Sequence, residues 1–245
     1  MSTTIGAVSF DFGETLATLD EQALSRKLLR HGVHVDSLRI LKALPVAWER
    51  YQRPVRHNAS EDGADHHPWR PFMLELLRSA GATHPERHRD LVEWLFEDQR
   101  TANLWRKPIL GMIELVRELN AREVPVCVLS NSEGFLVNLI DELGWTAHLP
   151  LVIDSGCVGM AKPERAIFEL CARTLKVALP ELLHVGDSLR ADVHGARDAG
   201  AKALWFTTPP AYPVRAPAPA SDVLVSTNAT EARAAIFGAL GLEHH

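Results

Sequence analysis

The chain has 245 residues, 46% hydrophobic and 23% charged, enough for one large core or a core with a smaller satellite and too few for three independent domains. Its 31 acidic residues outnumber 26 basic ones for a net charge of −5, which argues against the cationic surface of a nucleic-acid binder and favours small-molecule partners. No apolar stretch approaches the roughly 20 residues that cross a bilayer, and the opening residues lack the basic-then-apolar form of an export signal, so neither membrane insertion nor export is expected.

In chain order, the apolar run Ile5–Phe12, interrupted by Asp11 and stopped by Gly13, predicts a buried strand ending in a turn. From about residue 20 to 100 the apolar spacing is helical. Leu24 and Leu28 precede Gly32; Leu38, Leu41, Leu44 and Trp48 follow; Trp69, Phe72, Met73, Leu76, Leu77 and Ala80 lead to Gly81; Leu91, Val92, Leu95 and Phe96 complete the series. Pro45 predicts either a kink in the second helix or its division in two. The polar stretch from Arg53 to Arg70 reads as a loop, and Trp48, Trp69, Trp94 and Trp105 are expected in the core of this helical region.

After residue 105 helices and strands alternate. Ile113, Val116 and Leu119 mark a helix, Val124–Leu129 a strand, Phe135–Leu143 a helix, and Leu149–Ile153 a strand. A helix opened by Pro163, the strand Leu182–Val185, a helix ending at Gly200 and the strand Ala203–Phe206 come next. A proline-rich loop then leads to the short strand Val223–Val225 and a closing helix from about Thr230. This grammar predicts an α/β fold, a doubly wound parallel sheet covered on both faces, with an all-helical module inserted after the first strand. The expected division is residues 1–17 and 100–241 for the core and 18–99 for the insert, while 242–245 read as a tag remnant. Cys127, Cys157 and Cys171 have no metal-site or disulfide spacing, which fits a reducing cytoplasm; nothing in the sequence speaks to oligomeric state.

In such a sheet the ligand crevice lies beyond the carboxyl ends of the strands, so polar residues that follow apolar runs are the candidates for chemistry. They are Asp11 in VSFDFGETL, Ser130 and Asn131 in VCVLSNS, Lys162 in GMAKPE, and Asp187 and Asp192 in HVGDSLRAD. Taken in this order they resemble the four motifs of the haloacid dehalogenase superfamily of hydrolases. Asp11 and Thr15 match the Asp-x-Asp-x-Thr pattern of the first motif, but Gly13 stands where the second Asp belongs. The hydroxyl of the second motif matches Ser130, the lysine of the third Lys162, and the acidic pair of the fourth Asp187 and Asp192.

The resemblance implies a magnesium-dependent phosphatase acting on a small phosphorylated metabolite through an aspartyl phosphate on Asp11. Asp11, the main-chain carbonyl of Gly13 and Asp187 would hold Mg2+, with Asp192 and Ser188 behind them. Thr15, Ser130, Asn131 and Lys162 would bind the phosphoryl group, Lys162 offsetting its charge. Asp11 and Ser130 stand 119 positions apart and Ser130 and Lys162 only 32; the resemblance implies that the inserted module is the helical cap of the family, with hinges expected near Thr18–Glu21 and Ala102–Pro108.

Gly13 removes the residue that in the family protonates the leaving alcohol and activates water. Such a group contributes about 10²–10⁴ in rate, so the deficit should fall on alkyl esters more than on esters with low-pKa leaving groups. Glu14 is the nearest replacement, although the favoured reading of it is an exposed first-turn carboxylate. His57, His66 or His67, in the loop flanked by Arg56 and Arg70, are further candidates. Two alternatives stand beside the phosphatase: a 2-haloacid dehalogenase, whose halide needs no proton, and a catalytically weakened scaffold used for binding.

Overall fold

The computed structural model describes residues 4–52, 69–207 and 220–242. Histidines 57, 66 and 67, Arg56, the proline-rich loop and residues 243–245 lie outside them. The described chain divides into two compact units: residues 4–19, 105–207 and 220–242 form one, and residues 20–52 and 69–104 the other.

The first unit is built on a six-stranded parallel sheet of β1 (Ala7–Phe10), β4 (Val126–Ser130), β5 (Val152–Asp154), β6 (Leu182–Gly186), β7 (Lys202–Phe206) and β8 (Leu224–Ser226), in the order β5-β4-β1-β6-β7-β8. All four residues of β1 are buried, as expected of a central strand covered on both faces. The strand predicted from residue 149 begins only at Val152, while those at Leu182 and Ala203 each extend by one residue. β1 ends between β4 and β6, with Phe10 in register with Val128 and Val185. Asp11 therefore emerges one step past both flanking partners, while Ser130 and Asp187 lie one step further along their strands.

Helices supply the covering layers. α5 (Met112–Ala121) buries Met112, Ile113, Leu115, Val116 and Leu119, and α8 (Arg165–Leu175) buries Ile167, Phe168, Cys171, Ala172 and Leu175, each an apolar stripe at helical spacing. Shorter helices, α6 (Leu136–Glu142), α7 (Ser155–Val158) and α9 (Gly195–Ala199), fill the connections. The closing helix α10 (Ala229–Leu240) starts where the Asn228 side chain accepts the Glu231 amide at 3.0 Å. The segment after β6, predicted as one helix, opens with a π-helical turn over Leu189–His194 before α9 begins. That wider turn carries Asp192.

Two-residue strands β2 (Ala17–Thr18) and β3 (Lys107–Pro108) pair antiparallel in the first unit, at the point where the chain leaves it and returns. β3 falls in the second segment expected as a hinge and β2 overlaps the first at Thr18; strands so short leave no periodic signal.

The second unit contains α1 (Glu21–Arg30), α2 (Ser37–Gln52), α3 (Trp69–Ser79) and α4 (His88–Asp98). α2 runs as a single helix with Pro45 inside it; the apolar face of Ile40, Ala43, Leu44, Ala47 and Trp48 is buried, offsetting the lost backbone hydrogen bond. Trp48 packs on Phe72 and Trp69 on Phe96, with centroids 4.5 and 5.5 Å apart. Lys27 pairs with Asp98 and donates to the Ala102 carbonyl at 2.6 Å, tying α1 to the end of α4. Among the described residues no helix is long and apolar enough to cross a membrane.

Candidate active site

Asp11 follows β1, its amide donating to the Val185 carbonyl at 2.8 Å. The chain then turns tightly: the amides of Thr15, Leu16 and Ala17 all converge on the Phe12 carbonyl, and none of the three goes to the carbonyl of Gly13. Behind Asp11 the Lys162 ammonium lies 3.0 Å from Asp11 Oδ1 and 2.6 Å from Asp192 Oδ1, and it donates to the Leu129 carbonyl at 2.8 Å. Of these three contacts the one to the Leu129 carbonyl has hydrogen-bond geometry, and those to the two carboxylates are ion pairs. One carboxylate oxygen from each of Asp11, Asp187 and Asp192 lies within 4.8 Å of the other two.

Burial makes this arrangement electrostatically demanding. The Lys162 and Asp192 side chains are each 1% exposed and that of Asp11 is 14% exposed. Burial alone would lower the Lys162 pKa, but the charges of Asp11 and Asp192 outweigh it and hold the group above its ordinary value. For Asp192 burial acts upward and is overcome by the Lys162 charge and a hydrogen bond from His184, so its carboxyl stays well below the usual range. Two of the three carboxyl groups, Asp11 and Asp192, pair with the Lys162 ammonium. Hard oxygen donors in acidic excess are what a small divalent cation requires, and the residues present fit such an ion. Asp192 is already committed, Oδ1 to Lys162 and His184 and Oδ2 to the Ser188 amide at 2.8 Å.

Gly186 makes this packing possible. A Cβ there would sit 2.6 Å from the Asp192 Cβ and closer still to its carboxylate, so only glycine leaves room for the Asp192 side chain against this strand. Ser188 caps the following turn, its Oγ accepting the Ala191 amide at 3.1 Å. Asn131 grips the main chain of Lys162 from both sides: Oδ1 accepts its amide and Nδ2 donates to its carbonyl, each at 2.8 Å. The Asn131 side chain therefore positions Lys162, and only its main chain remains for a ligand. Ser130 ends β4, buried. Thr15 is fully buried with its hydroxyl unpaired among the described residues, so the structure does not bring that group to the open side of the crevice.

A family model described as "Hydrolase: haloacid dehalogenase-like hydrolase" matches residues 5–200. This chain is a haloacid dehalogenase-like hydrolase. It is 34% identical over 167 residues to a phosphoserine phosphatase of Thermus thermophilus, a match covering 66% of this chain and 63% of that protein's length. It is 25% identical over 232 residues to haloacid dehalogenase-like hydrolase domain-containing protein 3 of Homo sapiens, covering 91% and 90% of the two chains. Among solved structures, the HAD-hydrolase YfnB of Bacillus subtilis, crystallised with magnesium, has the same fold, with a TM-score of 0.69 at 15% identity over 98% of this chain and all of that one.

Two expectations about the neighbourhood of Gly13 are corrected. Glu14 is not an exposed first-turn carboxylate of a helix: it is 4% exposed, lies in a turn with φ +52°, and both its oxygens accept from the Thr18 hydroxyl at 2.7 and 2.9 Å. Burial pushes its pKa up to about 7; the Thr18 hydrogen bond and the Leu19 amide pull the other way, and the Asp11 charge adds to the rise. Trp105, expected in the core of the helical module, belongs to the first unit of the hydrolase, and a Cβ at Gly13 would stand 3.5 Å from its Cδ1 and Nε1. Trp48 and Trp69 are buried in the helical unit as expected, and Trp94 is half-buried, its ring 4.0 Å from that of His31.

Sequence reasoning missed the layer beneath Asp192. His184 on β6 and Ser9 on β1 are fully buried, in register across the two strands, and joined by a 2.8 Å hydrogen bond between Ser9 Oγ and His184 Nδ1. His184 Nε2 lies 3.0 Å from Asp192 Oδ1, and Phe168 of α8 packs edge-on against the imidazole. The one signal was a histidine inside an otherwise apolar strand, LLHVG.

Proposed function

We propose that this hydrolase is a magnesium-dependent phosphatase that cleaves a small phosphorylated metabolite through an aspartyl phosphate on Asp11. The observation carrying the proposal is the convergence of Asp11, Asp187 and Asp192, one oxygen of each within 4.8 Å of the others, with Lys162 paired to Asp11 and Asp192. The Thermus relative is a phosphatase by name, and the YfnB structure holds magnesium; both support the reading.

Asp11 and Asp187, with the Gly13 carbonyl, would hold Mg2+, which when bound withdraws charge from the phosphoryl oxygens. A carboxylate oxygen of Asp11 attacks phosphorus, an Asp–O–P bond forms and the ester P–O bond breaks in line. Lys162 offsets the charge gathered between nucleophile and phosphoryl group, while the Ser130 hydroxyl and the Asn131 main-chain amide donate to its oxygens. Water then attacks phosphorus, inorganic phosphate leaves, and the Asp11 carboxylate is restored. Gly13 offers no side chain to protonate the departing oxygen, so substrates whose leaving group is a weak base are favoured. By the family resemblance the helical unit would be the part that selects the substrate, in keeping with a metabolite-sized ester. The three unpaired thiols agree with a cytoplasmic setting.

The test is turnover of p-nitrophenyl phosphate and a panel of metabolite phosphates with magnesium and with EDTA. Magnesium-dependent release of phosphate, absent in Asp11→Asn, is expected. Chloride release from a 2-haloacid that survives chelation would replace the proposal with the dehalogenase reading, and phosphate binding without turnover would replace it with the binding scaffold.

A further inference from the structure

The histidine beneath the site has no part in the mechanism above, yet its hydrogen bonds reach the lysine that does. A carboxylate oxygen only accepts, so His184 must donate from Nε2 to Asp192 Oδ1; its Nδ1 is then an acceptor, and the Ser9 hydroxyl donates to it. The chain of contacts runs Ser9 Oγ, His184, Asp192 Oδ1, Lys162 Nζ, Asp11 Oδ1, with successive separations of 2.8, 3.0, 2.6 and 3.0 Å. Every member before Asp11 is buried, which excludes solvent as an alternative partner.

We propose that the Ser9–His184 pair is a positioning device that fixes the plane of the Asp192 carboxylate and thereby aims the Lys162 ammonium at Asp11. Asp192 Oδ2 is anchored by the Ser188 amide at 2.8 Å, but one amide leaves the carboxylate free to tilt about that contact. The His184 N–H supplies the second anchor, on the oxygen that carries Lys162. With Asp192 Oδ1 fixed and the Leu129 carbonyl accepting a hydrogen, the ammonium is held 3.0 Å from Asp11 Oδ1, an oxygen with no hydrogen-bond partner among the described residues. The edge of Phe168 on one side and the Ser9 bond on the other hold the imidazole in this orientation. The inference rests on the phosphatase reading for what the ammonium serves; the hydrogen-bond chain stands without it.

Three variants test it: His184→Leu removes the donor, His184→Gln keeps an N–H near the position of Nε2, and Ser9→Ala removes only the hydroxyl that orients the ring. Two readouts are taken on the full chain, each variant first checked for cooperative thermal unfolding. The first is p-nitrophenyl phosphate turnover with magnesium. A hydrogen bond to a charged group predicts a fall in kcat of about 10–100-fold for His184→Leu with KM within about twofold, and recovery to within about fivefold of the parent in His184→Gln. The second is the 15N–1H signal of the Lys162 ammonium, independent of turnover: protected from exchange in the parent and His184→Gln, lost or strongly shifted in His184→Leu. Should His184→Leu fail to fold, Ser9→Ala must shift the Lys162 signal and lower kcat about threefold. A folded His184→Leu with parental kcat and an unchanged Lys162 signal would overturn the proposal, as would equal impairment of the Leu and Gln variants. If the parent has no phosphatase activity but the Lys162 signal responds as stated, the catalytic reading fails and the positioning device stands.

Discussion

Gly13→Asp tests the reasoning about the missing proton donor. Gly13 is not in the left-handed region, and a Cβ there would meet Trp105 Cδ1 and Nε1 at 3.5 Å, ordinary van der Waals contact, so the first side-chain carbon of an aspartate fits without displacing the ring. A positioned general acid is worth about 10²–10⁴ in rate, or about 2.7–5.4 kcal/mol of barrier. The gain should appear in kcat/KM, which includes departure of the leaving group, and should be large for an alkyl ester such as glycerol phosphate and small for p-nitrophenyl phosphate. Measured side by side with magnesium, the alkyl-to-aryl ratio of kcat/KM should rise by at least about tenfold in the variant. A folded Gly13→Asp protein with an unchanged ratio would refute the idea that the glycine is what limits alkyl substrates.

Gly186→Ala makes the opposite prediction for a glycine in the same site: the added methyl would overlap Asp192, so thermal unfolding should show a loss of about 1–3 kcal/mol or more, together with loss of activity. Glu14, with a folded pKa raised from 4.5 to about 7, favours the protonated form in the native state. Its contribution to stability is complete below pH 4.5 and is lost as pH rises through 7, an effect of about 3 kcal/mol at 1.36 kcal/mol per pH unit; Glu14→Gln should flatten the stability of EDTA-treated protein over that window, as read by urea unfolding. Magnesium at 100 times its dissociation constant should stabilise the parent by about 2.7 kcal/mol, and Asp187→Asn should abolish that response in a melting assay.

The outline of the fold was readable because buried parallel strands are short unbroken apolar runs and the helices between them keep their spacing; β1, β6 and β7 stand out on that ground alone. Asp11 and Asp187 follow β1 and β6 directly and come together because the carboxyl ends of neighbouring parallel strands lie side by side, while Lys162 and Asp192 reach them from the connections after β5 and β6. What escaped depends on contacts between distant positions. Ser9 and His184 are 175 residues apart and meet only through the register of β1 and β6. Glu14 was misjudged because a carboxylate just after a strand looks like the first turn of a helix, whereas the chain enters a left-handed turn that buries it against Thr18. The position of Trp105 beside Gly13 follows from the chain's return along β3, a strand too short to be seen as a pattern.

The central claim is that phosphorus is transferred to Asp11. With no side chain at position 13 to activate water, the phosphorylated form should persist, and rapid mixing with p-nitrophenyl phosphate and magnesium should give a burst of nitrophenolate near one equivalent. Borohydride reduction during turnover should convert residue 11, and no other acidic residue, to homoserine in the peptide mass map. Magnesium-dependent turnover with no modification at residue 11, or with modification at Asp187 or Glu14 instead, would contradict it.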